Sequence, residues 1–438
     1  MKLEKYKKKD LKKTGIIIFT IACILLITGV FLYTSYASFE TRENFNIING
    51  NVQEQGDLYF AFYINENISK TMPKKGEGYS LDQEKTTCTN GASIEFDPIE
   101  WAVKVVNMTT AKTKCNLYFK TETFSDSLIT CSQNNSAANC FIENSSKNLE
   151  ELAFDNTADN NLRYIGANPN NYVSFNNELW RIIGAMNNMD DGTGKKETRL
   201  KIIRNESIGL YSWDNKAAGV GSSNSENGSN DWTDSALQIM LNEGAYWNRT
   251  VGECPYGQNG ATTSCDFSSN GLTNEAKEMI GDTLWKLGGT ANISNSDNYI
   301  ISKWYDYERS TTVFNNRSIE WTGKIGLIYP SDYGFATNGG ITTNRQICLT
   351  TSFINWLDEG YKYCYGNDWL FYNGASQWSL TPDTSTGYGI FRLYSTVGNL
   401  FYGVSDKRNV VRPSLYFKSN IKIISGDGSE TNPYQLSM

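Results

Sequence analysis

The chain has 438 residues, of which 39% are hydrophobic and 20% charged, which is enough for two or three domains with hydrophobic cores. It contains no histidine, which excludes Ser-His-Asp and Cys-His catalysis as well as zinc or haem sites with histidine ligands. The formal net charge is −7 although seven lysines lie in residues 1–14, so the rest of the chain is acidic and unsuited to binding nucleic acid.

Residues 16–33 form an uncharged apolar run directly after the lysine-rich segment. As a helix this run would span roughly 27 Å, close to the hydrocarbon thickness of a bilayer. Because positive residues stay inside, we expect residues 1–38 to be a cytoplasmic tail and transmembrane anchor of a single-pass protein with an extracellular body. The alternative is a signal peptide cleaved after Ala37, which would leave a secreted protein.

Nine cysteines are present, and Cys23 falls in the apolar run. The other eight are an even number outside the predicted membrane segment, which indicates disulfides formed in an oxidising compartment. Free thiols or a metal site are the alternatives, but no C-x-x-C pair occurs, and we expect no metal ion and no cofactor. Clustering along the chain suggests the pairs Cys88–Cys115, Cys131–Cys140, Cys254–Cys265 and Cys348–Cys364.

Residues 39–122 are predicted to form a small β-sandwich-like domain. Short runs rich in aromatic and β-branched residues, such as residues 58–64 and 93–97, are separated by Gly, Pro and Asn. Residues 123–147 are rich in Ser and Asn and are predicted to be a linker.

Residues 148–438 are predicted to form one larger α+β domain, because a few helices are scattered among many short strands. Asp190, Asp191 and Gly192 are interpreted as a hairpin turn, since the ligand spacing of an EF-hand is missing; a cation site is the alternative. We predict a β-meander over residues 172–203, helices over 234–243, 274–287 and 353–357, and strands over 391–394, 400–402, 414–417 and 421–424.

Aromatic residues are concentrated between residues 365 and 402, where Asn, Gly, Ser and Thr separate them. Aromatic rings stack on sugar faces and amides pair with hydroxyl groups, although the same mixture suits protein-binding surfaces. For each single ring, inward packing in a β core is the alternative. No pattern identifies a catalytic residue. The predicted ligand-binding residues are Trp369, Trp378, Tyr388, Arg392, Tyr394, Asn399 and Tyr402.

Several segments resemble a family of uncharacterised surface proteins of low-GC Gram-positive bacteria of the gut type. The resemblance covers residues 160–438 and is carried by residues 162–173, 321–334, 377–382 and 411–419. The pattern W-x-L-x-P at Trp378, followed by aromatic strands and V-R-P-x-L-Y, is similar to domains with a C-type-lectin or formylglycine-generating-enzyme-like core. This resemblance implies a C-type-lectin-like fold for residues 148–438.

Together these features predict a membrane-anchored extracellular surface protein that binds glycan or protein, without catalysis, through an aromatic and Asn-rich surface. Residues 16–33 would hold it in the membrane. A histidine-free cell-envelope hydrolase that uses two carboxylates is one alternative. A structural surface-layer component is the other.

Overall fold

The structure is a computed structural model that describes residues 58–75, 77–97, 100–133, 149–216, 228–291, 299–341 and 343–438. The chain divides into two compact units, with the boundary between Lys120 and Thr121. The protein is of the α+β class and rich in strands. The predicted anchor, residues 16–33, lies outside the described ranges, and none of the helices within those ranges has the length and hydropathy of a membrane span.

The first unit is built around a parallel pair of strands. β1 and β7 run side by side in the order β2-β1-β7-β3, β4 also pairs with β7, and β5 and β6 form a separate hairpin. Alternation along β7 buries Cys115, Leu117 and Phe119, which form the core of this unit. The strands are β1 (Leu58–Ile64), β2 (Asn67–Ser69), β3 (Tyr79–Leu81), β4 (Thr87–Cys88), β5 (Ser93–Asp97), β6 (Ala102–Val106) and β7 (Thr113–Thr121).

The second unit combines two large sheets with short helices. Its helices are α1 (Phe124–Gln133), α2 (Ala236–Asn242), α3 (Ala245–Asn248), α4 (Asn274–Met279), α5 (Ile301–Glu308), α6 (Pro330–Phe335), α7 (Arg345–Leu349) and α8 (Lys362–Gly366). Its strands are β8 (Leu152–Phe154), β9 (Leu162–Tyr164), β10 (Tyr172–Phe175), β11 (Glu178–Asp190), β12 (Lys196–Arg204), β13 (Leu210–Ser212), β14 (Val251–Pro255), β15 (Thr262–Asp266), β16 (Thr283–Lys286), β17 (Glu320–Gly323), β18 (Ile325–Gly326), β19 (Gln377–Pro382), β20 (Gly389–Leu393), β21 (Leu400–Val404), β22 (Arg408–Val410), β23 (Ser414–Tyr416), β24 (Lys422–Ser425) and β25 (Tyr434–Ser437).

The larger sheet has nine strands and contains the predicted meander. Its order is β18-β23-β12-β11-β10-β25-β24, and β9 and β8 continue from β11. The long β11–β12 hairpin has its turn at Asp190 and Asp191, whose side chains accept hydrogen bonds from the backbone N–H groups of Gly192 and Thr193. The turn interpretation is therefore confirmed. The smaller sheet, in the order β13-β22-β19-β20-β21, holds the aromatic segment.

The helix predicted over residues 274–287 is wrong beyond Met279. Thr273 caps α4, but the backbone becomes extended at Ile280, and the N–H of Gly281 donates to the carbonyl of Tyr416. The next residues form β16, which buries Trp285 and pairs with β17. Glycine lowers helical stability at residue 281, and tryptophan, the residue at position 285, is a residue type that favours strands. Residues 353–357 are helical but form a 3-10 turn.

The predicted linker, residues 123–147, is also partly wrong, because its first part forms α1. Thr123 and Asp126 cap this helix reciprocally, each side chain accepting a hydrogen bond from the backbone N–H of the other. Phe124 and Leu128, one turn apart, are fully buried in the core of the second unit. The segment therefore contributes to the hydrophobic core.

Replacing Leu128 by Ala is expected to lower the free energy of unfolding by about 2–3 kcal/mol, because a buried methylene-rich side chain leaves a cavity. Denaturant titration measures this change. The matched control is Ile341→Ala, since Ile341 is 96% exposed, and its effect should stay within about 0.5 kcal/mol. Equal small effects for both variants would contradict the packing of α1.

Three of the four predicted disulfides are confirmed, namely Cys88–Cys115, Cys254–Cys265 and Cys348–Cys364. Each joins strands or helices that are close to one another along the chain. The fourth predicted pair, Cys131–Cys140, lies outside the residues whose side chains are described.

Candidate ligand-binding face of the smaller sheet

The hairpin of β20 and β21 determines which aromatic side chains share a surface. Arg392 lies directly opposite Phe401 in the antiparallel register, so alternation places Tyr394 and Asn399 on the same side of the hairpin as this pair. Tyr394 is 40% exposed and Phe401 is 43% exposed. We call the side formed by Arg392, Tyr394, Asn399 and Phe401, together with Asn409 of β22, the β20–β21 face.

Arg392 lies at the centre of this face and is partly buried. Its Nη1 donates to Oδ1 of Asn409 over 2.8 Å, although β22 is two strands away from β20 in the sheet. The side chain passes over Gly403, where a Cβ atom would come within 2.9 Å of the arginine Nε. Glycine at residue 403 therefore leaves room for the guanidinium.

Three buried polar atoms of this face have no hydrogen-bond partner among the described residues. They are Nε of Arg392, Nδ2 of Asn409 and Oδ1 of Asn399. Burial lowers the pKa of Arg392, and the nearby Tyr394 opposes the shift. An unsatisfied buried polar group costs about 1–3 kcal/mol, so a ligand that pairs with these atoms would recover part of that free energy.

The outer strand adds flat aromatic surface to these polar groups. The rings of Phe401 and Tyr402 lie 5.4 Å apart at an interplanar angle of 16°, which is a stacked arrangement. The guanidinium carbon of Arg392 lies 5.9 Å from the centre of the Tyr394 ring. Exposed rings therefore flank the atoms that lack partners.

The structure brings together only some of the predicted site residues. Arg392, Tyr394 and Asn399 share the β20–β21 face, and the partly buried Tyr402 is next to Phe401 but also packs on the core. Tyr388 is partly exposed and directly precedes the first residue of β20, whereas Tyr394 follows the last residue of that strand.

Trp378 and Trp369 are buried, so their prediction as ligand contacts needs correction. Trp378 lies opposite Arg392 but is 1% exposed, and its indole N–H donates to the carbonyl of Tyr211. The indole N–H of Trp369 donates to the carbonyl of Tyr164, and the Arg181 guanidinium covers its ring at 4.6 Å. Both rings fill the core, which was the alternative for each aromatic residue.

The predicted set omits Phe401, Gly403 and Asn409. Phe401 belongs to the aromatic segment, but the sequence does not distinguish its exposed ring from its buried neighbours. No local signal points to Asn409, because its contact with Arg392 depends on how β22 is inserted in the sheet. The role of Gly403 also depends on the folded structure, because it comes from the close approach of the Arg392 side chain.

A second group of ionisable residues lies inside the second unit. Asp332 accepts hydrogen bonds from Nη1 of Arg163 at 2.8 Å and Nζ of Lys201 at 2.5 Å, and Arg163 also pairs with Asp155. The nearby carboxyl of Glu308 accepts the backbone N–H of Ser331 at 2.8 Å.

The two acids of this interior cluster differ in proton affinity. Burial raises the pKa of Glu308 to about 7. Burial acts in the same direction on Asp332, but Lys201 and Arg163 outweigh it and hold the pKa of Asp332 at about 2. A hydrolase would need such acids at a substrate cleft. Here both are at most 2% exposed, and each contacts interior side chains or backbone groups.

Comparison of the chain with protein-family models, with curated proteins and with solved structures gives no match. The class that the fold itself defines is a strand-rich α+β protein with three disulfides in its described part. Two of its exposed rings, Tyr394 and Phe401, lie beside unpartnered polar atoms at the β20–β21 face.

Proposed function

We propose that this protein is a membrane-anchored extracellular surface protein that binds glycan, without catalysis, through the β20–β21 face. The observation that carries the proposal is the location of three unpartnered buried polar atoms, on Arg392, Asn399 and Asn409, beside two exposed rings. Aromatic rings offer flat apolar surface to a sugar, and the polar atoms would orient its hydroxyl groups.

Glycan is favoured over a protein partner because the unpartnered atoms include both donors and an acceptor. Sugar hydroxyls donate and accept, so one sugar ring serves both kinds of atom. The exposed apolar surface on this face comes from single rings, Tyr394 and Phe401, rather than from a continuous row of aliphatic residues. Protein-binding surfaces usually bury a larger apolar centre.

The extracellular location is supported by the disulfides, since such bonds persist in oxidising compartments. The apolar run at residues 16–33 and the preceding lysines support a retained anchor with a cytoplasmic N-terminus. The finer fold assignments, a β-sandwich-like spacer and a C-type-lectin-like second unit, are proposed from the strand patterns and the family resemblance. Membrane fractionation combined with thiol labelling of intact cells tests the location: a cytosolic protein with reactive cysteines would contradict it.

Replacing Phe401 or Tyr394 by Ala is expected to weaken glycan binding about three- to tenfold, because each variant removes an aromatic stacking surface. The full-length chain is screened on a glycan array, and the affinity for each hit is then measured by titration. Tyr59→Ala is the matched control, since Tyr59 is an exposed ring of the first unit.

Unchanged affinity in both variants would contradict the assignment of the face. An absence of glycan hits, together with a protein ligand that is sensitive to these substitutions, would reassign the same face to a protein partner. An absence of ligands of either kind would contradict the binding function.

A further inference from the structure

Arg392 has no carboxylate partner among the residues that the structure describes. Its single direct side-chain hydrogen bond is to the neutral amide of Asn409. Among the buried arginines, Arg163 pairs with Asp155 and Asp332, and Arg204 pairs with Glu178. Other arginines also lack a carboxylate partner among the described residues, but they are at most 6% exposed, whereas Arg392 is only partly buried: Arg181, Arg317 and Arg412. The β20–β21 face therefore contains a positive charge that its own side chains leave uncompensated.

The contact between Arg392 and Asn409 also defines which groups are free. A guanidinium has only donors, so the amide must turn its oxygen toward Nη1 of Arg392, and its nitrogen is then the atom without a partner. Nε of Arg392 is the second donor without an acceptor. Two buried donors and one positive charge thus call for an acceptor that carries negative charge.

Asn399 adds a requirement of the opposite kind. It lies beside Tyr394, two residue pairs further along the hairpin than Arg392 and Phe401, which is about 7 Å by strand geometry. The unpartnered Oδ1 of Asn399 needs a donor. A pyranose ring that carries both a carboxylate and hydroxyl groups covers this separation and supplies both chemistries.

We propose that the β20–β21 face selects acidic glycans, with the sugar carboxylate bound by Arg392 and Asn409 and a ring hydroxyl bound by Asn399. This proposal rests on the proposed function and specifies its ligand class. Tyr394 and Phe401 would border the sugar ring. The binding step is non-covalent and involves no exchange of protons with Arg392, whose guanidinium stays charged.

The test uses the full-length chain and oligomers of galacturonic, glucuronic and sialic acids, each compared with its own methyl ester. Esterification removes the charge but retains the shape of the sugar. Because the ester cannot form the charge-assisted hydrogen bond with Arg392, affinity for the acid should exceed affinity for the ester about ten- to hundredfold. Arg392→Met removes the charged donor, so this variant should bind acid and ester with about equal affinity.

Two further variants control this experiment. Asn409→Asp gives Arg392 a carboxylate within the protein, so the variant should remain folded, with an unchanged melting temperature or a higher one, but lose the preference for acids. Arg408→Met removes a neighbouring exposed arginine whose guanidinium lies over Tyr256, and it should retain the preference.

The outcomes separate the two proposals. Binding of neutral glycans and esters as tight as that of the acids would overturn the acidic ligand class and leave glycan binding in place. An absence of glycan binding would overturn both. Binding of sulfated oligosaccharides without the carboxylated ones would overturn carboxylate recognition. Loss of the preference in Arg408→Met would assign it to general surface charge and contradict the role of Arg392.

Discussion

Replacing Asp332 by Asn is expected to lower the free energy of unfolding by about 3–5 kcal/mol, because the change leaves the buried Lys201 without an anion and Arg163 with Asp155 as its remaining carboxylate partner. Asp332 is fully enclosed and contacts both Arg163 and Lys201. Lys201 has no other ion pair among the described residues, and burial already lowers its pKa to about 8. The loss of Asp332 removes the interaction that supports the charged lysine.

Denaturant titration of the full-length chain, followed by tryptophan fluorescence, measures this loss. The matched control is Asp306→Asn, because Asp306 is an exposed aspartate whose ion pair with Lys303 spans 3.9 Å. An exposed ion pair of this kind contributes between about 0 and 1 kcal/mol. A change below about 1 kcal/mol for Asp332→Asn would show that the buried cations do not depend on this carboxylate.

The pH dependence of stability should change when Glu308 is replaced by glutamine. Burial raises the pKa of Glu308 from 4.5 to about 7, so the folded protein retains a proton that the unfolded chain releases between these values. The stabilising contribution of the protonated carboxyl is complete below pH 4.5 and is lost as the pH rises to about 7. The total effect is on the order of 3 kcal/mol, since one pKa unit corresponds to about 1.4 kcal/mol.

The glutamine side chain imitates the protonated carboxyl and carries no charge at any pH. The Glu308→Gln variant is therefore expected to match the parent protein near pH 4 and to exceed it in stability by about 1–3 kcal/mol at pH 8. Unfolding titrations of both proteins between about pH 4 and 8 measure the difference. Arg309, Ser331 and Asp332 face the carboxyl and are unchanged in both. Parallel stability curves would contradict the raised pKa.

Local sequence predicts those parts of the fold that depend on near neighbours. The β11–β12 hairpin follows from alternation and turn residues, and the three described disulfides join cysteines that are close in the chain. The α1 helix is not predicted because four of its ten residues are Ser or Thr, which are poor helix formers, so that the apolar pair Phe124 and Leu128 is a weak signal. A capping pattern from Thr123 to Asp126 is the available signal.

The candidate site is predictable only in part, because alternation tells which side chains share a side of the sheet but not which of them other elements cover. Trp378 and Arg392 are directly opposite each other and so lie on the same side of the sheet, but Trp378 is buried and Arg392 is partly exposed. The contact between Arg392 of β20 and Asn409 of β22 reaches across β19, which lies between these two strands in the sheet. Such a contact is set by the order of strands, which local patterns do not encode.

The parallel pairing of β1 with β7 determines how the first unit would respond to tension along the polypeptide. Seven residue pairs, from Leu58 with Thr113 to Ile64 with Phe119, join these strands. The chain enters β1 at one end of this ladder and leaves β7 at the other. A pulling force would therefore load all the hydrogen bonds in shear at once rather than open them one at a time, and the bridge between Cys88 and Cys115 would limit extension of the chain between them.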